Sequence, residues 1–484
     1  MQEPSFQPEW IWGDDDEITV FAQGYGEKRT TIFSFQLDKH GPDISLANRI
    51  CNSFHRLEPT SEAATFPNPD AMRKALWDAV ERVWPQCLIE PGLSKLDAIV
   101  QIDSADGSSE ELTWKVYHHP LFPRFIQHLS DETLGTTRVT PSGIVVDFAD
   151  LIRYEQLGGR GCATRVRLSG HSAREFFVFK GIDFRTFLAN LDEEGDTTVR
   201  HLVQTMHRSN NLLQTMPPHR NIMPPPTIFV TLRFPPDQDD KSAAAVLCGT
   251  LQPLYAGGDV GARIEKSNEK GQRLPLDLKA RWCADMAAAV AHTHRVAKTY
   301  HMDIKPGNFI ADADDNLVLG DWEQSGAPPT TLAPEADGTW DVTEEDSDLK
   351  LSRPRFSYLK YQGPRRSNTD QEDPDGDYYS WHTWNVYPIW VKEHPFALEL
   401  AEVFSLGRTT WMLLRQPEDM EFEEVEHPDD ILTDWEGADD IPAHWKRMVD
   451  RCMAKDPNER PDVLAVAQFW QDEAEKKIHD RVPK

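Results

Sequence analysis

The chain has 484 residues, enough for two or three domains that each bury a core of their own. Eighty acidic residues against fifty-one basic ones give a net charge of −29, which argues against nucleic acid or an anionic membrane as a partner. No apolar run reaches the length of a bilayer span, so no membrane span is expected. The same charge admits two readings, a preference for basic protein substrates or simple solubility, and the second carries more weight. The start, Met1 to Glu17, is acidic, carries Trp10 and Trp12 and has no basic n-region, which argues against a secretory signal. Six cysteines (Cys51, Cys87, Cys162, Cys248, Cys283 and Cys452) stand far apart without a C-x-x-C pair. That spacing argues against a zinc site and for a reduced, intracellular setting, cytoplasmic or nuclear.

In chain order, residues 1–143 mix short strand-like runs with one helix. The runs are Ile18 to Ala22, Thr31 to Phe35, Asp97 to Ile102 and Thr113 to Tyr117. The helix is expected over about Asp70 to Val83, where Met72, Leu76, Ala79 and Val83 fall on one face. This reads as a small α+β region without a catalytic pattern. From Val145 the pattern becomes strand, glycine loop, strand, helix, strand, strand, and after about Leu276 it is mostly helical. Three acidic or proline-rich stretches (Pro235 to Ser242, Pro328 to Asp377, Glu418 to Asp440) read as loops or mobile insertions.

Chemistry-bearing residues recur along this second part. After a strand-like stretch ending in Leu157 comes Gly159-x-Gly161-x-x-Thr164-x-Val166. Its glycines let backbone N–H groups approach phosphate oxygens, although a hairpin turn would look the same. Lys180 follows in the apolar run Phe177-Val178-Phe179-Lys180. A lysine there must aim its ammonium at something, and phosphates at the glycine loop are a natural target; a snorkelling edge lysine is the plainer alternative. The strongest pattern is His301-Met302-Asp303-Ile304-Lys305-Pro306-Gly307-Asn308, followed by Gly320-Asp321-Trp322-Glu323. Phosphoryl transfer explains these residue types. Asp303 can orient a hydroxyl and take its proton, Lys305 can neutralise the transferred phosphoryl, and Asn308 with Asp321 offers the hard oxygens that magnesium needs.

This arrangement resembles the catalytic loop and D-F-G motif of eukaryotic protein kinases. The resemblance extends in order over about two thirds of the chain. Val246 to Thr250 leading into Pro253-Leu254-Tyr255-Ala256-Gly257-Gly258-Asp259 looks like a kinase hinge. It implies that Pro253 and Tyr255 meet adenine, that Asp259 lies near the ribose, and that Val166, Val178 and Ile310 sandwich the ring. Glu402-Val403-Phe404-Ser405-Leu406-Gly407 resembles the start of the central kinase helix, with Glu402 where the family carries Asp. Asp456-Pro457 with Arg460-Pro461 matches the closing D-P-x-x-R-P segment. The implied fold is an α+β, bilobal protein-kinase-like one with a small β-rich N-lobe and hinge over residues 144–260. A large helical C-lobe follows over 261–477, with a long activation-segment insertion at about 324–386.

Four departures qualify the resemblance. The slot for the helix glutamate that pairs with the strand lysine holds Ser209 or Asn210, unless Glu193 or Glu194 substitutes through a different register. Met302 replaces the usual Arg before Asp303. Glu323 replaces the glycine of the magnesium motif and is expected to stiffen it. Ala333-Pro334-Glu335 spells A-P-E but comes only twelve residues after Asp321, so Tyr387-Pro388-Ile389 is taken as the equivalent and Arg460 is expected to lack a glutamate partner. The implied activity is ATP- and Mg2+-dependent phosphorylation of Ser/Thr hydroxyls in protein substrates. The alternative is a pseudokinase or ATP-binding scaffold.

Overall fold

A computed structural model describes residues 6–13, 17–24, 30–38, 45–55, 69–87, 98–104, 112–130, 143–157, 163–170, 175–191, 197–234, 244–324, 326–345, 353–363, 385–418, 422 and 431–481. The chain is mixed α+β and divides into two compact units. The first comprises Met1–Gln204 and Pro226–Leu254, the second Thr205–Pro225 and Tyr255–Lys484.

The first unit contains two sheets. Strands β1 (Phe6–Gly13), β2 (Glu17–Gly24) and β3 (Thr30–Gln36) form an antiparallel meander. Helices α1 (Leu46–His55) and α2 (Pro69–Cys87) then carry the chain to β4 (Ala98–Asp103), which lies parallel to β3, and β5 (Thr113–His118) closes the edge. Alternation decides the faces. Ile18, Val20, Phe33, Phe35, Val100 and Ile102 pack on α1 and α2. Phe21, Ile32 and Ile99, on the other face, join a second core with Phe122, Phe125 and Leu129 of α3 (Phe122–Ser130).

The second sheet has the order β6-β10-β11-β9-β8-β7. Its members are β6 (Ile144–Asp147), β7 (Leu151–Gln156), β8 (Ala163–Leu168) and β9 (Phe177–Gly181). After helices α4 (Phe184–Ala189) and α5 (Thr197–Thr215) come β10 (Ile228–Phe234) and β11 (Ala244–Pro253). Gly181 is required where β9 crowds β11, because a Cβ there would sit 2.3 Å from the Cys248 carbonyl oxygen. On α5 the buried face runs through Val199, Val203, Met206, Asn210 and Leu213, at helical spacing.

The second unit is mainly helical. It contains α6 (Val260–Asn268), α7 (Leu276–Arg295), the small ribbon of β12 (Phe309–Ala311) and β13 (Leu317–Leu319), and a second ribbon of β14 (Trp340–Glu344) and β15 (Phe356–Lys360). Then follow α8 (Tyr387–Glu393), α9 (Pro395–Arg415), α10 (Ala443–Cys452) and α11 (Val463–Arg481). Helix α9 is buried from Ala397 to Leu414, so it is apolar all round and shows no amphipathic stripe. Two cations close its C-terminus: Lys279 Nζ donates to Leu414 O at 3.0 Å, and Arg273 donates to Leu414 O at 2.6 Å and Arg415 O at 2.8 Å.

One sequence expectation is corrected here. Pro328 to Asp377 is not loop throughout, since β14 and β15 pair within it from Trp340↔Lys360 to Glu344↔Phe356. The stretch Pro235 to Ser242 lies outside the described residues. Among the described residues no helix is long and apolar enough to cross a membrane.

Candidate functional site

The segment from Tyr300 to Asn308 is irregular backbone, and α9 holds it in place. Glu402, fully buried on α9, accepts from the backbone N–H of His301 at 2.8 Å and of Met302 at 2.5 Å, and from His294 Nε2 at 2.6 Å. Burial works to raise this carboxyl, but the His294 hydrogen bond and charge and the Met302 N–H outweigh it and hold Glu402 below the ordinary glutamate value. These bonds matter because Met302 has φ +77°, a conformation costly for a non-glycine residue. Two turns further along α9, Thr409 Oγ1 donates to Ile304 O at 3.1 Å, and the Ile304 side chain is buried in the core.

Held in this way, the loop brings three predicted residues together. Asp303 Oδ2 accepts from Lys305 Nζ at 2.7 Å and from Asn308 Nδ2 at 3.0 Å, and Asn308 Nδ2 also reaches Asp303 O at 2.7 Å. The second carboxylate oxygen, Asp303 Oδ1, is buried without a hydrogen-bond partner among the described residues. A proton acceptor with one oxygen anchored and the other unengaged is what general-base chemistry requires. Asn308 spends its amide N–H groups on Asp303, which leaves its side-chain oxygen as the atom suited to a hard cation.

Asp321 is tied to the same loop through its backbone. Pairing of Phe309 with Leu319 sets Asn308 opposite Gly320, whose N–H donates to Asn308 O at 2.9 Å. From the other side, His301 Nε2 donates to Gly320 O at 2.7 Å. The His301 ring also packs edge-on against Trp322 with centroids 4.7 Å apart, and Trp322 Nε1 donates to Leu319 O. Asp321 has φ +57°, a left-handed conformation within this bonded frame, and Glu323 is half-buried on the turn beyond it.

The segment Tyr255 to Asp259 lies against β12. Gly257 N–H donates to Ala311 O, Ala311 N–H to Gly258 O, and Asp259 forms a bridge with Ile310. A Cβ at Gly257 would stand 2.5 Å from Ala311 O, so only glycine permits this approach. Tyr255 is partly buried and packs against the helical core. Asp259 Oδ1 accepts from Ala262 N and caps α6, a local use that the sequence reading did not foresee.

In the first unit, Gly159 and Gly161 lie outside the described residues. Leu157 and Pro253 are exposed, while Val178 and Lys180 are half-buried. Lys180 pairs with Ala163, and Val178 with Arg165, so these four share a face of the sheet. Val166 does not. It lies on the opposite face, fully buried in the core with Phe179, which corrects its assignment to a ring contact. The cause is the period of two, by which a shift of one residue along β8 changes face, so that Ala163 and Arg165 are the β8 residues on the face of Lys180.

Two further corrections concern the second unit. Arg460 does not lack a glutamate. Its buried guanidinium grips Glu335 through both terminal nitrogens, Nη2 to Oε2 at 3.0 Å, and also donates to Leu400 O. Ala333-Pro334-Glu335 is therefore the segment that the closing arginine holds. Tyr387-Pro388-Ile389 instead opens α8, with Tyr387 buried to its hydroxyl. A buried guanidinium needs a carboxylate, and Glu335 supplies it.

Met302 is buried in an apolar cluster with Leu332, Ala336, Phe356 and Tyr387. Ser209 and Asn210 are both buried, and Asn210 Nδ2 has no partner. Glu193 and Glu194 lie outside the described residues. Sequence reasoning also missed His294 and Thr409, because nothing in a linear pattern marks a side chain that reaches across 105 or more residues.

No family model matches this chain, and no curated protein matches it.

Proposed function

We propose that this chain is a bilobal protein-kinase-like enzyme that transfers the γ-phosphate of ATP to Ser/Thr hydroxyls of protein substrates. The observation that carries the reading is the carboxylate of Asp303, one oxygen bonded to Lys305 and Asn308 and the other buried and unengaged, on a loop fixed by Glu402. In the proposed step the substrate oxygen bonds to the γ-phosphorus as the bond to the bridging oxygen of ADP breaks, and Asp303 Oδ1 takes the hydroxyl proton. Lys305 supplies positive charge to the moving phosphoryl. Asn308 and Asp321 are the proposed holders of Mg2+, which supplies neutralisation of the phosphate oxygens, and one or two protein oxygens are typical for magnesium sites of this kind. Lys180 is the proposed partner of the nucleotide's phosphates, Leu157, Val178, Pro253, Tyr255 and Ile310 its adenine contacts, and Asp259 a ribose contact through whatever its capping role leaves free.

One observation favours a second reading. The slot that the family fills with a glutamate holds Ser209 or Asn210, both buried, and the Asn210 amide Nδ2 has no hydrogen-bond partner among the described residues. An ATP-binding scaffold with little phosphotransfer would tolerate that. The discriminating experiment incubates purified protein with labelled ATP, Mg2+ and basic proteins, beside Asp303→Asn. The kinase reading expects incorporation by the parent and a fall on the order of a hundredfold or more in the variant. ATP binding with no incorporation by either protein establishes the scaffold instead.

A further inference from the structure

We infer that the β14–β15 hairpin is a built-in brace for the segment Ala327 to Ala336, and that Arg353 and Asn458 are positioning residues for the protein substrate; this rests on the kinase reading of the Asp303 site. Three sets of contacts converge on the short turn Pro457–Glu459 and on Arg460. The Arg460 guanidinium holds Glu335. The Arg460 carbonyl accepts from Arg353 Nη1 at 2.7 Å, and the Asn458 carbonyl accepts from Arg353 Nη2. The Asn458 side chain is bonded twice to the start of β15, accepting from Phe356 N at 2.9 Å and donating to Phe356 O at 2.9 Å. Hairpin and Glu335 segment are thus fastened to one piece of backbone.

The apolar side agrees. Val342 of β14 and Phe356 of β15 are buried in the same cluster as Ala327, Leu332, Ala333, Ala336 and Met302, the residue next to Asp303. The hairpin therefore fills the volume beneath the segment that flanks the catalytic loop. A substrate hydroxyl must be delivered to Asp303 within a few tenths of an ångström, and the flanking backbone sets that path. Loosening the brace should then misplace the protein substrate while the nucleotide's contacts keep their geometry.

Asn458→Ala and Arg353→Met each cut this brace without touching Asp303, Lys305, Asn308 or Asp321. The expected result is a fall of about tenfold to a hundredfold in kcat/KM for the protein substrate, with KM for ATP within about twofold of the parent. Amide hydrogen exchange gives an independent readout. The N–H groups of Thr331, Leu332 and Ala336 are bonded locally to Pro328 O and Ala333 O, and their exchange should speed up more than about tenfold while α7 and α9 stay protected. Arg353→Lys, which can reach one carbonyl but not two, should recover part of both losses. Unchanged exchange at these amides in both variants overturns the inference. So does a parallel loss for ATP and protein, or loosening throughout the helices, since either marks a general stabiliser. If the parent transfers no phosphate, the kinase reading fails, and the brace is decided on exchange alone.

Discussion

Glu402 concentrates three interactions on one buried carboxylate, and that makes it the residue whose replacement should be most informative. It collects two backbone donors from a strained loop and one imidazole, and it is fully buried. Glu402→Gln keeps the volume but turns one acceptor into a donor facing donors. The expected cost is about 3 kcal/mol of stability, measured by urea unfolding, with the proposed phosphotransfer lost beyond what partial unfolding explains. Because the folded carboxyl titrates below its unfolded value, its contribution is present above the unfolded glutamate pKa and disappears as pH falls through the folded one. A variant as stable as the parent would remove Glu402 from its anchoring role. At this scale the sequence was readable wherever partners are close in the chain: Asp303, Lys305 and Asn308 meet within six residues. It misjudged the Arg460–Glu335 pair, separated by 125 positions, by expecting Arg460 to lack a glutamate, and it grouped Val166 with Val178, which β8 places on the other face.

Among the elements, the turn between β5 and α3 carries a titratable group that the proposed chemistry does not use. His119 is buried, its Nδ1 accepts from Leu121 N, and its ring lies edge-on to Phe184 at 4.8 Å. Burial lowers its pKa to about 4. Between that value and the unfolded one near 6.5, the unfolded chain binds a proton that the folded chain refuses, so stability falls as the medium is acidified through this window. The loss should approach about 3 kcal/mol from His119 alone. His119→Asn keeps an acceptor for Leu121 N but cannot titrate, and its unfolding free energy should be flatter over the same window; parallel pH profiles would reject the assignment. Elements were legible in proportion to their periodicity. Strands β2 to β4 are buried on both faces and read as apolar runs, and α2 shows a stripe through Leu76, Ala79 and Val83. Helices α1 and α3 are ten and nine residues long, too short to separate from strand by pattern. The β14–β15 ribbon was hidden in acidic, proline-rich text whose pairing depends on Asn458, about a hundred residues downstream.

For the molecule as a whole, the sequence expected a small lobe ending near residue 260, whereas the compact division falls after Leu254 and assigns Thr205–Pro225 to the helical unit. The contacts of that segment explain the assignment: Asn221 Nδ2 donates to Leu317 O at 2.8 Å, and Ile222 bridges Leu319. No local pattern announces such a junction. Net charge, in contrast, is a property of composition alone, and its two readings separate on a single variable. A charge of −29 raises the encounter rate with a basic protein by an amount that salt screens away. If substrate preference is involved, KM for a basic protein should rise on the order of tenfold between roughly 20 and 200 mM salt, while KM for a neutral peptide carrying the same acceptor hydroxyl stays level. If the charge serves only solubility, both KM values should move together. The comparison with the neutral peptide is what gives the measurement force, because salt also screens repulsion within the chain and steadies the fold, an effect common to both substrates that cancels in their ratio.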